Sequence, residues 1–258
     1  GTVYPIFLDV LSSQKISVGP PFYHKLIVPF LIPFLLIMAI GPKLKWIKSN
    51  LKDKVYLLSL FIISILLSFM IVKNFNSNFL INTILISSAL FLFFITFRDF
   101  FTKGYNKISQ NIAHFGFSLL ILSILFNNLF SNEIITNLKV GETFENSKTK
   151  IFFKSIEQKE EKNYKSIIGN FAIKNSNGDI DNMTPELRIY NQPNITTSEA
   201  DIKTTIMSDK FIVINLVQNQ DYFNVRYQVK PFMLWIWASV ILISLGGLMS
   251  FFKKEYEK

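Results

Sequence analysis

The 258-residue sequence contains no cysteine, only two histidines, and only three arginines among its 27 basic residues. The absence of cysteine excludes disulfides, thiolate metal sites and thiol redox chemistry within this chain. The formal net charge of +9 raises the question of nucleic-acid binding. However, no basic stripe with interleaved stacking aromatics is present, so the sequence indicates no nucleic-acid partner.

Long hydrophobic runs, in contrast, are abundant. Half of the residues are hydrophobic and 27 are phenylalanine, which is typical of a membrane protein. A helix needs roughly 20 apolar residues to cross the hydrocarbon core of a bilayer. Pro29 and Pro33 are expected to kink or delay the first such helix. We predict a transmembrane bundle of five spans: Lys25–Ile40, Val55–Val72, Phe79–Phe97, Ile112–Phe130 and Phe232–Phe252.

The placement of lysine and arginine predicts the orientation of these spans. Basic residues are concentrated in 43–54, 98–107 and 253–258, and these segments alternate along the bundle as cytoplasmic segments would. No signal peptide opens the sequence, so we expect it to be the C-terminal part of a longer protein. The predicted organisation is an outer-side segment at 1–24, four spans within 25–130, a periplasmic β-rich domain at 131–230, a fifth span at 231–252 and a cytoplasmic tail at 253–258.

The region between the fourth and fifth spans is polar, and its apolar residues alternate. YKSIIGNFAIKN followed by NSNGD indicates a hairpin with an Asn-Gly turn. FIVINLVQ, the turn NQD and YFNVRYQVK indicate a second hairpin. We therefore predict a small, mainly antiparallel β domain on the outer face, inserted into the helical bundle. TPELRIYNQPNITTSEADI, between the two hairpins, is expected to form a loop with a short helical turn.

His114 lies in NIAHFGFSLLILSILF, a few residues inside a predicted span. An ionisable side chain inside a membrane span is costly, which makes it a functional hypothesis. A neutral imidazole can bind haem iron, and the nearby Ala113, Gly116 and Ser118 could leave room for a flat macrocycle. Alternatively, His114 bonds a backbone carbonyl and the small residues serve helix packing. Spacing alone leaves both interpretations open.

Three other side chains are weaker candidates. His24, in KISVGPPFYHK, is expected to be a solvated loop residue before the first span. Trp235 and Trp237, in KPFMLWIW, are expected to form an aromatic belt at the membrane boundary, or else a surface that contacts haem or a partner. The sequence offers no catalytic residues: it contains no recognisable nucleophile–base pair, phosphate loop or metal-ligand cluster.

Several uncommon strings occur in one order along the chain. They are ISVGPPFY, AHFG, a GE pair that begins the β domain, TPELRIY and KPFMLWIW. In this order the sequence resembles the C-terminal part of the CcmF family, the large membrane subunit of the cytochrome c haem lyase of maturation System I. The resemblance implies a protein of the bacterial inner membrane, or of the inner membrane of some mitochondria. It also implies transfer of haem from a haem chaperone to the Cys-x-x-Cys-His motif of apocytochrome c.

The same resemblance implies a haem b held by one histidine from each of two transmembrane helices, of which His114 matches one. The second histidine and the tryptophan-rich haem-handling segment of the family would precede Gly1. The expected partners are the N-terminal half of the same protein, the haem chaperone, other membrane subunits of cytochrome c maturation, and apocytochrome c. Any haem lyase or haem reductase activity is expected only in their presence.

Glu186, Arg188 and Tyr190, within TPELRIY, are predicted contacts for such partners. The alternative function is a non-catalytic membrane scaffold or transporter subunit with an outer β domain. A transport path would require polar or broken helices. Beyond His114, however, the polar side chains of the predicted spans are mainly serine, threonine and asparagine, with Asn82 among them.

Overall fold

The computed structural model describes residues 3–12, 19–44, 54–75, 78–102, 108–175, 178–217 and 221–253. The chain divides into two compact units. One is formed by Gly1–Leu125 together with Ala238–Lys258, and the other by Phe126–Trp237. The first unit is helical, and strands dominate the second.

The helices are α1 (Val3–Ser12), α2 (Pro20–Ile40), α3 (Lys54–Val72), α4 (Phe79–Thr102), α5 (Ile108–Phe130) and α6 (Met233–Lys253). Within the described ranges, the five helices from α2 to α6 are long and apolar enough to cross a membrane. The prediction of five apolar spans is therefore confirmed. A 3₁₀ turn at Gly41–Lys43 follows α2 directly.

The candidate membrane span begins at Lys25 as predicted, but the helix that contains it begins earlier. α2 begins at Pro20, five residues before the predicted start, and runs without interruption through Pro29 and Pro33. The expected delay at these prolines is therefore wrong. Gly19 is extended and caps the helix, and a proline stands in the first helical positions. Proline suits the first turn of a helix, because the backbone N–H that it lacks would have no partner there.

α4 is the most buried helix of the first unit. Of its span, 56% is buried, against 11–22% for the other four spans. α2 and α3 both pack along it, and α5 contacts it through Thr96 and Ser118. The remaining faces of α2, α3 and α6 expose large apolar side chains, which suit contact with lipid or with another apolar protein surface.

Hydroxyl side chains join neighbouring helices inside the bundle. Ser68 Oγ on α3 donates to the backbone oxygen of Thr83 on α4 at 2.7 Å. Thr96 Oγ1 on α4 and Ser118 Oγ on α5 share a hydrogen bond of 2.9 Å. All of these side chains except that of Thr83 are buried. Such bonds add directional attraction between helices where lipid provides no hydrophobic force.

The second unit is a β-sandwich. Its strands, within the described part of the chain, are β1 (Asn132–Leu138), β2 (Thr143–Glu145), β3 (Thr149–Glu160), β4 (Tyr164–Asn175), β5 (Ile180–Met183), β6 (Glu186–Tyr190), β7 (Ile195–Glu199), β8 (Asp201–Thr204), β9 (Ser208–Leu216) and β10 (Phe223–Pro231). One sheet has the order β1-β10-β9-β8. The other has the order β2-β3-β4-β6-β7, with β5 paired to β4.

Both predicted hairpins are confirmed. β4 and β5 are antiparallel, with Phe171 opposite Met183. Gly178, in their connection, has a φ of +88°, a left-handed conformation that glycine adopts readily. β9 and β10 are antiparallel, with Ile214 opposite Val225. The predicted turn of this second hairpin falls largely outside the described residues. The mainly antiparallel β domain is therefore confirmed.

The expected loop with a helical turn at TPELRIYNQPNITTSEADI is wrong, because this segment forms β6, β7 and β8. Leu187 is buried and alternates with the half-exposed Glu186 and Arg188, which is the period of a strand. β6 pairs with β4 on one side and with β7 on the other. Tertiary pairing with β4 therefore decides the conformation of a short segment whose own signal is weak.

The core of the sandwich draws on both sheets. Phe153 and Phe171, from β3 and β4, stack with ring centroids 4.2 Å apart. Ile212, Val225 and Tyr227, from β9 and β10, are almost fully buried in the same cluster. Alternate residues of each strand thus meet between the two sheets, as sandwich packing requires.

A buried carboxylate links the two sheets. Asp181 on β5 is almost fully buried, and it forms ion pairs with Lys203 on β8 and Lys210 on β9. Asn175 Nδ2 also donates to Asp181 at 3.0 Å. Burial acts to raise the pKa of Asp181. The hydrogen bonds and charges of the two lysines outweigh it and lower the pKa from 3.8 to about 2. Burial, together with the smaller effect of the Asp181 carboxylate, raises the pKa of the Tyr227 phenol to about 12.

We predict that Asp181→Asn destabilises the β-sandwich by roughly 2 kcal/mol at neutral pH, the value that corresponds to the lowered pKa. The stabilisation from a lowered carboxyl pKa is fully present above pH 3.8 and is lost as the pH falls through about 2. Urea unfolding of the chain in detergent, followed by the near-ultraviolet circular dichroism of tyrosine, measures this difference at pH 7 and at pH 2.

Glu145→Gln is the matched control, because Glu145 pairs with Lys150 at 2.8 Å on the exposed surface of the same domain. An exposed pair contributes little, so this variant should stay within about 0.5 kcal/mol of the wild type. A loss of stability in Asp181→Asn that is equal at pH 7 and pH 2 would contradict the assigned role of the ionised carboxylate.

Candidate functional site

A small polar recess lies in the helical unit, where the ends of α2 and α4 meet the start of α5. It has a volume of about 10 Å³, which is room for about one water molecule. Its lining is polar although the surrounding helices are apolar. We call it the polar recess, and its lining residues are Pro42, Thr96, Asp99, Gln110, Asn111 and His114.

A partly buried ion pair adjoins the polar recess, which Asp99 lines. Lys43, in the 3₁₀ turn after α2, places its Nζ 2.9 and 3.2 Å from the two carboxylate oxygens of Asp99 on α4. Asp99 is only 8% exposed. A carboxylate so far from water needs a cation, so this pair ties the end of α2 to the end of α4.

The start of α5 is also joined to Asp99. Asn111 Nδ2 donates to the backbone oxygen of Asp99 at 3.1 Å, and Asn111 is buried. Asn111 and His114 are three residues apart on α5, so they lie on the same face of that helix. The face of α5 that carries His114 is therefore held against the end of α4.

His114 is half-buried and lines this recess. α5 begins at Ile108, four residues before the predicted span, so His114 lies in its second turn. From a rise of 1.5 Å per residue, it is about 9 Å along the axis from Ile108. The imidazole thus shares its surroundings with Asp99 and Asn111, two polar residues that sequence reasoning did not single out. Their signals are present in the sequence: a charge at the end of a long apolar run, and an amide three residues before a histidine.

The small residues beside His114 are used for helix packing. A Cβ atom on Gly246 of α6 would meet the backbone nitrogen of Ala113 at 2.6 Å and the backbone oxygen of Ser109 at 2.8 Å. A Cβ atom on Gly116 would meet Ile243 at 3.0 Å. α5 and α6 therefore approach closely here, and Ala113 and Gly116 do not keep space for a macrocycle. Of the two interpretations that spacing left open, packing accounts for these residues.

The imidazole of His114 is a side chain of the kind that can bind a metal ion or haem iron. It offers one imidazole nitrogen within an apolar helix, and the sequence has only one other histidine. A macrocycle does not fit inside the polar recess, so an iron held by His114 would need space outside it. Among the described residues, no cluster of three His, Cys, Asp or Glu side chains could hold a metal ion without a cofactor.

Among the described side chains, the other sequence candidates do not line this recess. His24 lies in α2 and not in a loop as expected, because the helix begins at Pro20. Trp235, on α6, donates from Nε1 to the backbone oxygen of Ile206 at 3.0 Å. Trp237 is 63% exposed. Both tryptophans lie near the start of α6, which agrees with an aromatic belt.

Glu186, Arg188 and Tyr190 lie on one face of β6. Arg188 Nη2 donates to Glu186 Oε2 at 2.9 Å, and Ser166 Oγ donates to Glu186 Oε1 at 2.5 Å. The Arg188 guanidinium also lies over the ring of Tyr164, 5.1 Å from its centroid, and Tyr164 packs against Tyr190. The three predicted contact residues therefore form one half-exposed surface, which we call the β6 face.

Charge on the β6 face is stable at neutral pH. The hydrogen bond from Arg188 lowers the pKa of Glu186, against the opposing effect of burial. The hydrogen bond to Glu186 in turn raises the pKa of Arg188. The carboxylate and the guanidinium thus hold each other in their charged forms.

Comparison with known proteins finds relatives that are similar in sequence and architecture. Residues 129–231 match the family model described as the CcmF C-terminal beta-sandwich. The chain is 26% identical over 272 residues to the cytochrome c-type biogenesis protein CcmF of Pseudomonas fluorescens, over 99% of this chain and 41% of that protein. It is 24% identical over 267 residues to CcmF of Escherichia coli strain K12, over 100% of this chain and 41% of that protein.

A solved structure named Cytochrome c Heme Lyase CcmF has the same fold. The TM-score is 0.74 at 19% sequence identity, and the match covers 96% of this chain and 41% of that one. Five apolar helices with an inserted β-sandwich of this kind define a multi-span membrane protein. Residues 129–231 form a CcmF C-terminal beta-sandwich, and nearly the whole chain is similar to part of the CcmF proteins. The chain spans about 41% of the length of the curated relatives that it matches.

We predict that Gly246→Ala destabilises the helical unit by about 1–3 kcal/mol, because the new methyl group would press on the backbone of α5. Gly247→Ala is the matched control: a Cβ atom there meets nothing within 4 Å, and alanine is favourable in a helix. Thermal unfolding of both variants in detergent measures the difference. Equal unfolding temperatures would contradict the close approach of α5 and α6.

Proposed function

We propose that this chain is the C-terminal part of a cytochrome c haem lyase membrane subunit, and that His114 supplies one axial nitrogen to haem b. The observation that carries the proposal is an imidazole in the second turn of an apolar helix, in a recess shared with the partly buried Asp99. Support also comes from the relatives, which are named cytochrome c-type biogenesis proteins, and from the solved structure named a haem lyase.

The residues around His114 suit an axial ligand. One ring nitrogen would donate its lone pair to iron. Asp99 and Asn111, on the walls of the recess that His114 lines, offer hydrogen-bond partners for the other ring nitrogen, which would fix the orientation of the ring. The surrounding helices are apolar, so they would limit the access of water to the ligand. When bound, haem b would supply electrons for reduction of the substrate haem.

We further propose that the protein lies in the bacterial inner membrane, with the β-sandwich in the periplasm. The ends of α2 and α4 and the start of α5 meet at the polar recess. The basic segments 43–54 and 98–107 adjoin these same helix ends. By the positive-inside rule, this arrangement supports a cytoplasmic location for this end of the bundle.

The β6 face is the proposed contact for the haem chaperone, apocytochrome c or other maturation subunits. It combines paired charges with two tyrosine rings, and arginine and tyrosine are enriched in protein interfaces. Trp237 remains a second candidate contact, because most of its surface is exposed.

We predict that His114→Ala abolishes the b-type absorption of reduced haem when the chain is expressed together with the N-terminal part found in its relatives. Loss of one axial bond removes a bis-histidine ligand set. His24→Ala is the control and should keep the spectrum. In His114→Gly, added imidazole should restore the spectrum by replacing the missing ring.

An unchanged b-type spectrum in His114→Ala, with normal maturation of cytochrome c, would refute the assignment. A lost spectrum that imidazole does not restore, together with a lowered unfolding temperature, would instead show that His114 is needed for helix packing.

We predict that a photoreactive benzoylphenylalanine at Tyr190 crosslinks the chain to the haem chaperone or to another maturation subunit. The β6 face lies on the sheet that contains β3 and β4. The same probe at Ile135, exposed on β1 of the other sheet, is the matched control. Crosslinks of equal yield at both positions, or none at Tyr190, would contradict the proposed contact.

A further inference from the structure

The turn between β8 and β9 has an unusual composition. Its tip consists of Ile206 and Met207, which are 65% and 62% exposed. The turn is closed by hydrogen bonds between Thr205 and Ser208, with Thr205 N donating to the Ser208 oxygen at 2.9 Å. Residues in exposed turns are ordinarily polar, so two adjacent large apolar side chains at a tip require an explanation.

Other hairpin connections of the domain are polar. The connection between β3 and β4 is Glu161-Lys162-Asn163, and that between β6 and β7 is Asn191-Gln192-Pro193-Asn194. The apolar tip is therefore a property of one turn and not of the hairpins in general. Among these connections, the β8–β9 turn is also the one that bonds to a membrane-spanning helix.

Two hydrogen bonds attach this turn to the start of α6. The backbone N–H of Phe232 donates to the oxygen of Met207 at 2.8 Å, and Trp235 Nε1 donates to the oxygen of Ile206 at 3.0 Å. Phe232 immediately precedes α6, and Trp235 is its third residue. Phe232 has a φ of +62°, which is uncommon for a non-glycine residue. The two hydrogen bonds stabilise the sharp change in chain direction between β10 and α6.

The end of α5 lies at the same place. Asn127 Nδ2 donates to the backbone oxygen of Pro231 at 2.6 Å, and the rings of Phe126 and Phe232 are 5.6 Å apart. Both α5 and α6 are long and apolar enough to span a membrane. The β8–β9 turn is thus fixed at the level where one span ends and the next begins.

We propose that the β8–β9 turn inserts Ile206 and Met207 into the boundary between lipid headgroups and acyl chains. Trp237 and Leu234, on the first turns of α6, are also exposed, and tryptophan is enriched at this boundary. Burial of the two exposed side chains in the bilayer gives the turn a hydrophobic anchor. Lipid is thus the proposed binding partner of the two side chains at the tip. This proposal does not depend on haem binding.

Electron paramagnetic resonance of spin-labelled protein in nanodiscs tests the proposal. The chain has no cysteine, so Ile206→Cys and Met207→Cys each create a single labelling site. Ile202→Cys and Ile180→Cys are matched controls, since these isoleucines are 59% and 61% exposed on strands of the same domain. Ile202 is four residues from the tip, or roughly 13 Å along the strand.

Labels at 206 and 207 should collide often with oxygen, which dissolves in lipid, and rarely with a water-soluble nickel complex. Labels at 202 and 180 should show the reverse. Strong collision with the nickel complex at both tip positions would overturn the proposal. Tip labels shielded from both reagents would also overturn it, because they would show a protein contact in place of lipid.

Discussion

The close approach of α5 and α6 fixes the rotation of the helix that carries His114. Gly246 meets backbone atoms of Ser109 and Ala113, and Gly116 meets Ile243, so neither helix can rotate without a clash. Lipid provides no hydrophobic force between helices, which leaves close packing and hydrogen bonds to hold them together. α6 packs on one side of α5. On the other side, two hydrogen bonds join α5 to α4, one between Ser118 and Thr96 and one from Asn111 to the backbone oxygen of Asp99.

Buried charge is handled in the same way in both units. Asp99 is paired with Lys43 at the end of the bundle, and Asp181 is paired with two lysines between the sheets. Each carboxylate joins elements that are distant in the sequence. Because an unpaired buried charge is very costly, such pairs favour one arrangement of the elements over slipped alternatives.

Much of this architecture can be predicted from the sequence, because long apolar runs and strict alternation are strong local signals. The spans and both hairpins follow from them. The conformation of β6, β7 and β8 does not, because these short strands depend on pairing with β4 and β9. His114 stands out in its sequence, whereas the importance of Lys43 and Asp99 depends on a contact across 56 residues. The roles of Gly116 and Gly246 likewise depend on which helix faces which.

The first and last strands of the sandwich are neighbours. β1 pairs with β10 along its whole length, from Asn132 opposite Val229 to Leu138 opposite Phe223. The polypeptide therefore leaves the bundle and returns to it through two adjacent strands. A module connected in this way can be lengthened, shortened or exchanged during evolution while the helices on either side keep their packing.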